Sequence, residues 1–512
     1  MPSSLSRRDV LRLLGFLSAG TAAVRSGPFI SEFFANKANA QTSAVYVREN
    51  IATFMQSPEK IAALRTGVQV MQSRPDTDPT SWIYQANMHG IPRTESRRLT
   101  AWNSCNHGSF FFFPWHRMYL YYFEQILRQA SGDPNLVLPY WNYSDFPDQR
   151  SLPEPFRDQL LPDGSINSLY VEQRGAGINE GTTALSPVEV SYNAAFRLTN
   201  FFHTTDGGLS FGGLEVEKPT HGGPGEGALE GRPHDQVHLV VGGSNGWMRQ
   251  VALSARDPIF WLHHANIDRL WERWLALGGG RANPTNISDW RNYPFTFFNE
   301  EGTPVTLEGR DIINTLQQLN YRYDDASLGN QVQLRPGNVG DADRSSQRTT
   351  ASPRLLAATP VNDQQPLIEL REAPVNLTLR FINAQAARLF ADVDLEESFL
   401  LLNVEGVTYN PRNSIPYEIY IDLPEGVTPD RNSPYHVGRL ALFAHNQNAN
   451  FRIDISEVVS ELQRLNLISG DSISVTFVPP AEELAALEGT DPSRQRLPNT
   501  VRFKRVTITL FD

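Results

Sequence analysis

The sequence predicts a chain in two folded parts, a mainly helical domain followed by an antiparallel β-sandwich or barrel. Apolar residues in the first part recur at three- and four-residue spacing, as on the buried face of a helix. Beyond residue 366 short alternating apolar and polar runs replace this pattern, as in half-buried strands. The 512 residues and the 40% hydrophobic content are enough for two such cores.

Charge and composition narrow the range of partners. The formal net charge of -11 at pH 7 argues against general affinity for nucleic acid or for an anionic membrane surface. After the N-terminal region there is no run of about 20 uninterrupted apolar residues, so we expect no membrane span. Cys105 is the sole cysteine, which excludes an intramolecular disulfide.

The first 40 residues resemble a twin-arginine export signal. Arg7 and Arg8 precede an apolar run over residues 13–24, and Ala38-Asn39-Ala40 supplies a small-x-small cleavage site. An amphipathic N-terminal helix is the alternative. The signal predicts export of the folded chain by the twin-arginine machinery into a periplasmic, extracellular or thylakoid-lumen-like compartment.

Residues 41–326 form the predicted helical domain. Apolar spacing predicts helices over Pro58–Gln72, Trp115–Ala130 and Pro258–Leu277. The Gly-rich segment 204–233 predicts a long loop, which we expect to shape access to the histidine pair that follows it.

Residues 327–366 have the polar, Pro-containing composition of a linker. Residues 367–512 form the predicted β domain, where turns such as Leu423-Pro424-Glu425-Gly426 separate the strands. The expected strands are Leu377–Ile382, Ser398–Val404, Tyr417–Leu423, Val437–Ala444, Ser472–Val478 and Thr500–Leu510.

Eleven histidines are unevenly distributed, since only His436 and His445 lie in the predicted β domain. His234 and His238 have the i, i+4 spacing that places two imidazoles within reach of one metal. A surface or capping pair is the alternative. The zinc-protease motif requires Glu where this chain has Asp235, which argues against a metalloprotease.

His263 and His264 are adjacent in a run of core residues that predicts a buried helix. Adjacent helical positions point about 100° apart, so only one ring can face a metal shared with the HxxxH pair. The other is expected to hydrogen-bond to a ligand or to the backbone. His116 lies in the aromatic run Phe-Phe-Phe-Phe-Pro-Trp-His-Arg, where a lone core histidine bonded to a carbonyl is the simplest explanation. Several such histidines in one domain favour a metal site.

Residues 84–126 and 230–274 resemble the two copper-binding regions of the tyrosinase and catechol oxidase family, the type 3 copper polyphenol oxidases. The matching motifs are Gln-Ala-Asn-Met-His at 85–89, Phe-Pro-Trp-His-Arg at 113–117, Pro-His-Asp-Gln-Val-His at 233–238 and Asp257-Pro258 to Asp268-Arg269. Plant-type features continue with Tyr-Arg-Tyr at 321–323 and Glu-Gly-Val at 405–407. By the same analogy Arg48 is expected to pair with Tyr321 or Tyr323.

The resemblance implies two copper ions per chain, dioxygen as co-substrate, and small phenols or catechols as substrates. His263 is expected to lie beside the ligands without binding metal. A set of neutral imidazoles suits copper better than magnesium or calcium. The implied ligands are His89, His107 and His116 for the first copper and His234, His238 and His264 for the second.

The resemblance also implies a thioether between Cys105 and His107, because fungal members join a cysteine at this position to the histidine two residues later. A buried, inert thiol is the alternative. Glu230 matches a glutamate that orients a water in plant-type members. Asp235 replaces an asparagine that is frequent in members active on monophenols, and an aspartate there would either act as a base or disturb the water.

Val251 takes the place of a phenylalanine that many plant catechol oxidases have over the second copper, so Val251 and Leu239 are expected to leave a wide substrate entrance. The resemblance implies ortho-hydroxylation of monophenols and oxidation of o-diphenols to o-quinones. It also implies a latent enzyme, shielded by the β domain until the linker is cut. The alternatives are a catechol oxidase without monophenol activity and a haemocyanin-like oxygen carrier.

Overall fold

The computed structural model describes residues 45–204, 208–223, 225–326, 353–360, 367–395, 398–409, 415–440, 442, 449–468, 471–481, 484 and 501–511. The predicted export signal, residues 327–352 and 361–366 of the predicted linker, and residues 441, 443 and 444 of one predicted strand lie outside these ranges. Residues 46–512 belong to one compact unit, which contains both the helical part and the β part. No helix among the described residues is long and apolar enough to cross a membrane.

Ten α-helices of different lengths lie among the described residues of the helical part, and they include the three predicted helices. Helix α4 begins three residues before its predicted start and ends at Ser131. It is followed by Gly132, whose left-handed φ of 74° suits glycine at a helix C-terminus. The helices are α1 (Ile51–Phe54), α2 (Pro58–Ser73), α3 (Trp82–His89), α4 (Phe112–Ser131), α5 (Asn193–Arg197), α6 (Gln236–Gly242), α7 (Val251–Ser254), α8 (Ile259–Ala276), α9 (Ser288–Asn292) and α10 (Thr315–Gln318).

Two small strand pairs complete the helical part. Strand β1 (Tyr46–Arg48) runs parallel to β4 (Tyr321–Tyr323), and β2 (Phe295–Phe298) pairs antiparallel with β3 (Pro304–Leu307). The first pair brings together the two ends of this part of the chain.

A buried charge cluster beneath the first strand pair fixes helices α4 and α8. Asp268 accepts hydrogen bonds from Arg117 at 2.6 Å and from Tyr321 and Tyr323 at 2.6 and 2.7 Å. Arg48 donates to the Tyr323 hydroxyl at 3.0 Å and lies over the Tyr321 ring, as expected. These bonds pair the buried charges, which is the condition under which such groups are tolerated in a core.

The Gly-rich segment packs against the loop between α3 and α4. Gly223 donates to the His107 carbonyl at 2.7 Å, and Gly225 donates to the Gly108 carbonyl at 2.9 Å. A Cβ on Gly108 would lie 2.5 Å from the Gly223 carbonyl oxygen, and Gly108 has a φ of +65°. The glycines are therefore needed for close approach of two backbones beside His107.

The β part is a ten-stranded antiparallel sheet with two helices, α11 (Ala384–Ala391) and α12 (Ser456–Arg464). Its strand order is β10-β9-β12-β7-β5-β14-β8-β13-β6, with β11 paired to β8. The strands are β5 (Arg354–Ala358), β6 (Ile368–Leu370), β7 (Val375–Phe381), β8 (Phe399–Tyr409), β9 (Tyr417–Ile421), β10 (His436–Leu440), β11 (Ala449–Asp454), β12 (Ser472–Val478), β13 (Val501–Phe503) and β14 (Arg505–Phe511).

The β part differs from the sequence prediction in several places. Strands β6 and β11 and both helices were not predicted, and β8 continues to Tyr409, beyond the expected end at Val404. Strand β5 lies inside the predicted linker and pairs with both β14 and β7. Its Leu356 and Ala357 are buried in the core, so five residues in a polar segment contribute a complete strand. The single strand expected over Thr500–Leu510 is two strands, β13 and β14, interrupted at Lys504, which donates to the Glu405 carbonyl.

Candidate metal centre

Seven buried histidines converge from four helical segments and one loop. His89 ends α3, His107 lies on the loop before α4, and His116 lies in the second turn of α4. The HxxxH pair lies where the π-helical segment Glu230–Asp235 passes into α6. His263 and His264 lie in the second turn of α8. None of these seven side chains is more than 3% exposed.

The ring distances place all six predicted ligands in one cluster. The rings of His89, His107 and His116 lie 5.2–5.6 Å apart, and those of His234 and His264 lie 4.9 Å apart. His264 also stacks on His116 at 4.5 Å, and its ligand atoms lie within 4.8 Å of those of His89 and His116 as well as of the HxxxH pair. The structure thus assembles the ligands but does not separate them into two sets of three.

Backbone carbonyls determine which nitrogen of three rings carries the proton. The Nδ1 atoms of His89, His116 and His238 lie 2.9, 2.8 and 2.7 Å from the carbonyl oxygens of Val251, Phe112 and Met248. A carbonyl can only accept, so each Nδ1 carries the hydrogen and each Nε2 keeps its lone pair. Nε2 of His89 and of His116 has no hydrogen-bond partner among the described residues.

Burial keeps the imidazoles neutral. It lowers the pKa of His234 to about 3 and lowers the pKa of the other six rings well below the usual value. A neutral, buried imidazole can bind a metal through its ring nitrogen, and a wholly nitrogen set favours copper or zinc over magnesium or calcium. The donor set therefore fits copper.

His263 has different surroundings from His264. Its Nδ1 lies 2.8 Å from the hydroxyl of Tyr143, and the backbone carbonyl of His234 partly opposes the lowering of its pKa by burial. Nε2 of His264 lies 3.3 Å from Nε2 of His238. The ligand atoms of both His263 and His264 lie within 4.8 Å of those of His234 and His238, so these distances do not distinguish the predicted orienting histidine from the predicted ligand.

Two buried carboxylates lie at the edge of the cluster. Asp235 Oδ1 is 2.7 Å from His234 Nδ1, and Glu230 Oε1 accepts from the Gly108 amide at 2.8 Å. Their other oxygens, Asp235 Oδ2 and Glu230 Oε2, have no hydrogen-bond partner in the part of the chain described. Burial raises the pKa of both carboxyls, and for Glu230 the charges of Glu226 and Asp235 raise it further.

The Cys105 sulfur lies between two imidazoles. Its Sγ is 3.5 Å from His107 Nδ1 and 3.0 Å from His221 Nδ1. Burial raises the pKa of this thiol, so it is held as S–H. The predicted thioether partner is within reach, and a second histidine is closer.

Both residues predicted at the substrate entrance are buried. Val251 is 5% exposed at the start of α7, and its carbonyl is the acceptor for His89. Leu239 is fully buried in α6, directly after His238.

Two residues beside the cluster, His221 and Glu226, were not predicted from the sequence. Both belong to the Gly-rich segment, and neither has a spacing that indicates a ligand or a base. Glu226 is partly buried, and burial together with the charge of Asp235 raises its pKa. Their only sequence signal is their place in a glycine-rich loop next to the histidine pair.

Comparison with known proteins agrees with this site. Residues 79–277 match the common central domain of tyrosinase, residues 285–335 match the polyphenol oxidase middle domain, and residues 358–488 match a domain of unknown function. A tyrosinase of Hahella sp. (strain CCB-MM4) is 32% identical over 467 residues, which cover 82% of this chain and 93% of the relative. A chloroplastic polyphenol oxidase of Malus domestica is 28% identical over 456 residues, covering 80% and 72%.

Solved structures share the fold along nearly the whole chain. A recombinant latent aurone synthase, a polyphenol oxidase, superposes with a TM-score of 0.59 at 21% identity, covering 92% of this chain and 90% of that one. Latent apple tyrosinase gives a TM-score of 0.57 at 23% identity, covering 92% and 98%. Both combine a helical core with a C-terminal antiparallel sheet domain, as this chain does.

The matches to the tyrosinase central domain and to polyphenol oxidases define the chain as an oxidoreductase, and this class implies a type 3 copper centre, which the buried histidines fit. The chain belongs to the tyrosinase and polyphenol oxidase family.

Proposed function

We propose that the protein holds two copper ions and uses dioxygen both to hydroxylate monophenols ortho to the hydroxyl and to oxidise o-diphenols to o-quinones. The observation that carries this proposal is the set of fixed tautomers: carbonyls of Val251, Phe112 and Met248 leave the Nε2 lone pairs of three buried histidines for metal. His89, His107 and His116 would bind one copper, and His234, His238 and His264 the other. When bound, the copper pair activates dioxygen and accepts electrons from the phenolic ring.

His263 has a positioning role in this proposal. Its contact with the Tyr143 hydroxyl fixes the ring, and the neighbouring His264 shares its helix turn. Partners of this kind orient ligands and adjust their basicity.

The carboxylates at the edge of the cluster supply the base that monophenols require. A free phenol has a pKa near 10, so its deprotonation near neutral pH needs assistance. Asp235 Oδ2 and Glu230 Oε2 are acceptors without partners among the described residues. Either could take the phenol proton directly or through a water.

The thioether between Cys105 and His107 is part of the same proposal. Its formation breaks the thiol S–H and a ring C–H, joins sulfur to carbon, and passes two electrons and two protons to dioxygen. The support is the 3.5 Å distance from Sγ to His107 Nδ1. An intact-protein mass without the loss of two hydrogens would contradict the thioether. Because His221 is also in contact with Sγ, peptide mapping has to identify which ring is modified.

Latency and export complete the proposal. Arg232 and Gln236 of the histidine segment are hydrogen-bonded to the β part, which supports a β domain that covers the centre until the linker is cleaved. Residues 1–40 would direct export through the twin-arginine pathway.

Oxygen uptake tests the activity. The copper-loaded chain is assayed intact and after cleavage within residues 327–352, with a monophenol and with its matching catechol. Uptake with both substrates after cleavage is the expected result. Uptake with catechol alone identifies a catechol oxidase, and reversible oxygen binding without turnover identifies a carrier. Equal uptake before and after cleavage contradicts latency.

A further inference from the structure

Strand β10 of the β part holds the segment that carries His234. Two residues before this histidine, Arg232 donates from Nη2 to the Val437 carbonyl at 2.7 Å and from Nη1 to the Asp454 carbonyl at 3.2 Å. These bonds cross from the helical part to the backbone of two strands.

A second contact lies two residues after the same histidine. The Gln236 side chain donates to the Arg439 carbonyl at 3.1 Å and accepts from the Arg439 amide at 3.3 Å. Gln236 is 3% exposed, so its amide has no access to bulk water as a substitute partner. The residues two positions before and two positions after His234 are therefore hydrogen-bonded to Val437 and Arg439, which are alternate residues of strand β10.

Gly438 makes room for the first contact. A Cβ at this position would lie 2.8 Å from Arg232 Nη2, and the residue has a φ of +124°. Glycine between Val437 and Arg439 thus lets the guanidinium approach the strand backbone.

The contacts with strand β10 concern His234 and not the first predicted copper site. His89 and His116 of the first site, and also His238 of the second, donate to carbonyls of Val251, Phe112 and Met248 in the helical part. Loss of the β-part contacts should consequently affect the two sites unequally.

We propose that strand β10 is a positioning element for the second copper, acting on His234 through Arg232 and Gln236. This inference rests on the copper ligands proposed above. The β part then has two opposed effects, since it covers the centre and also stabilises one of its metal sites. An enzyme activated by complete loss of the β part should lose its second copper more readily than its first.

Gly438→Ala and Gly426→Ala form a matched pair for the test. Both glycines lie in the β part with positive φ, but a Cβ at Gly426 meets nothing within 4 Å. The full-length, copper-loaded variants are titrated with a chelator while retained copper per chain and the electron paramagnetic resonance spectrum are followed. A coupled Cu(II) pair is silent in this spectrum, whereas a single remaining Cu(II) gives a signal.

The expected result for Gly438→Ala is release of one copper at about 10-fold lower chelator concentration, with the signal of the remaining Cu(II). Gly426→Ala should behave as the wild type does. Identical curves for both variants and the wild type, or simultaneous loss of both coppers, would overturn the proposal.

Gln236→Met provides a second, independent variant if Gly438→Ala does not fold. It removes both bonds to Arg439 and keeps the length of the side chain, and it should show the same selective release. A wild type that binds fewer than two coppers would refute the ligand proposal itself. Two tightly held coppers in the wild type and in Gln236→Met would refute only the role of strand β10.

Discussion

The histidine cluster and the charge cluster around Glu418 are both buried, yet they satisfy their polar groups differently. Glu418 meets Arg439 at 2.5 Å and His436 at 2.7 Å, and Glu189 of the helical part is paired with Arg431. In the histidine cluster, His89 and His116 are bonded at Nδ1 to backbone carbonyls, and their Nε2 atoms lack a partner among the described residues. Buried groups that pair with each other indicate a structural contact, whereas buried groups that converge without partners indicate a ligand site.

The largest effect is expected from His264→Ala. Its ring lies between the two predicted ligand sets, so its loss should reduce activity to background and retained copper from two ions to one per chain. Metal analysis measures the retained copper, and oxygen uptake measures the activity. Retention of two coppers with normal turnover would show that His264 is not a ligand.

Glu418→Gln tests the contrasting cluster. Removing the charge leaves the buried Arg439 without its nearest anion and should lower the free energy of unfolding by about 3–5 kcal/mol. The control is Glu369→Gln, which breaks the exposed pair with Arg371 and should cost less than about 1 kcal/mol. Urea unfolding of the two variants compares them, and equal costs would contradict the structural role of the Glu418 cluster.

The pH dependence of stability provides a second test of the Glu418 cluster. Burial alone would raise the pKa of Glu418, but Arg439 and His436 outweigh it and hold the pKa at about 2, below the ordinary value of 4.5. A depressed carboxyl pKa contributes stability above pH 4.5 that is lost as the pH falls towards 2. The wild type should lose stability across that window, and Glu418→Gln should lose less; parallel profiles would exclude Glu418 as the source.

A smaller effect is expected from His263→Ala. If this ring only orients its neighbours, copper affinity should fall about 10- to 100-fold while both coppers still bind at saturation. Copper titration distinguishes this outcome from loss of one site, which would make His263 a ligand.

The smallest effect is expected from Val251→Phe. A larger side chain at the proposed entrance should raise the KM for a monophenol roughly 10-fold with less change in kcat. Val251→Ala is the control and should not raise KM. Unchanged kinetics of Val251→Phe on monophenol would remove Val251 from the entrance.

Periodicity in the sequence predicted the three long helices and the change to strands, because periodicity is a local property of the chain. Spacing indicated only the pair His234 and His238, and the full set of six candidate ligands came from the resemblance of the motifs. The aromatic run around His116 and the pair His263-His264 also predicted a buried site. The sequence did not predict strand β5, because a five-residue strand in a polar segment is recognisable only by its partners in the sheet.

Contacts between residues that are distant in the sequence are visible only in the tertiary structure. The contacts of Cys105 with His221, of Glu230 with Gly108 and of Arg232 with Val437 join residues more than 100 positions apart. Such contacts depend on how the Gly-rich segment and the sheet pack against the helices. They could not be predicted, because packing between distant segments produces no periodic pattern in the sequence. The motifs that predict the copper ligands are thus local in the sequence, whereas the groups that contact these histidines are visible only in the folded chain.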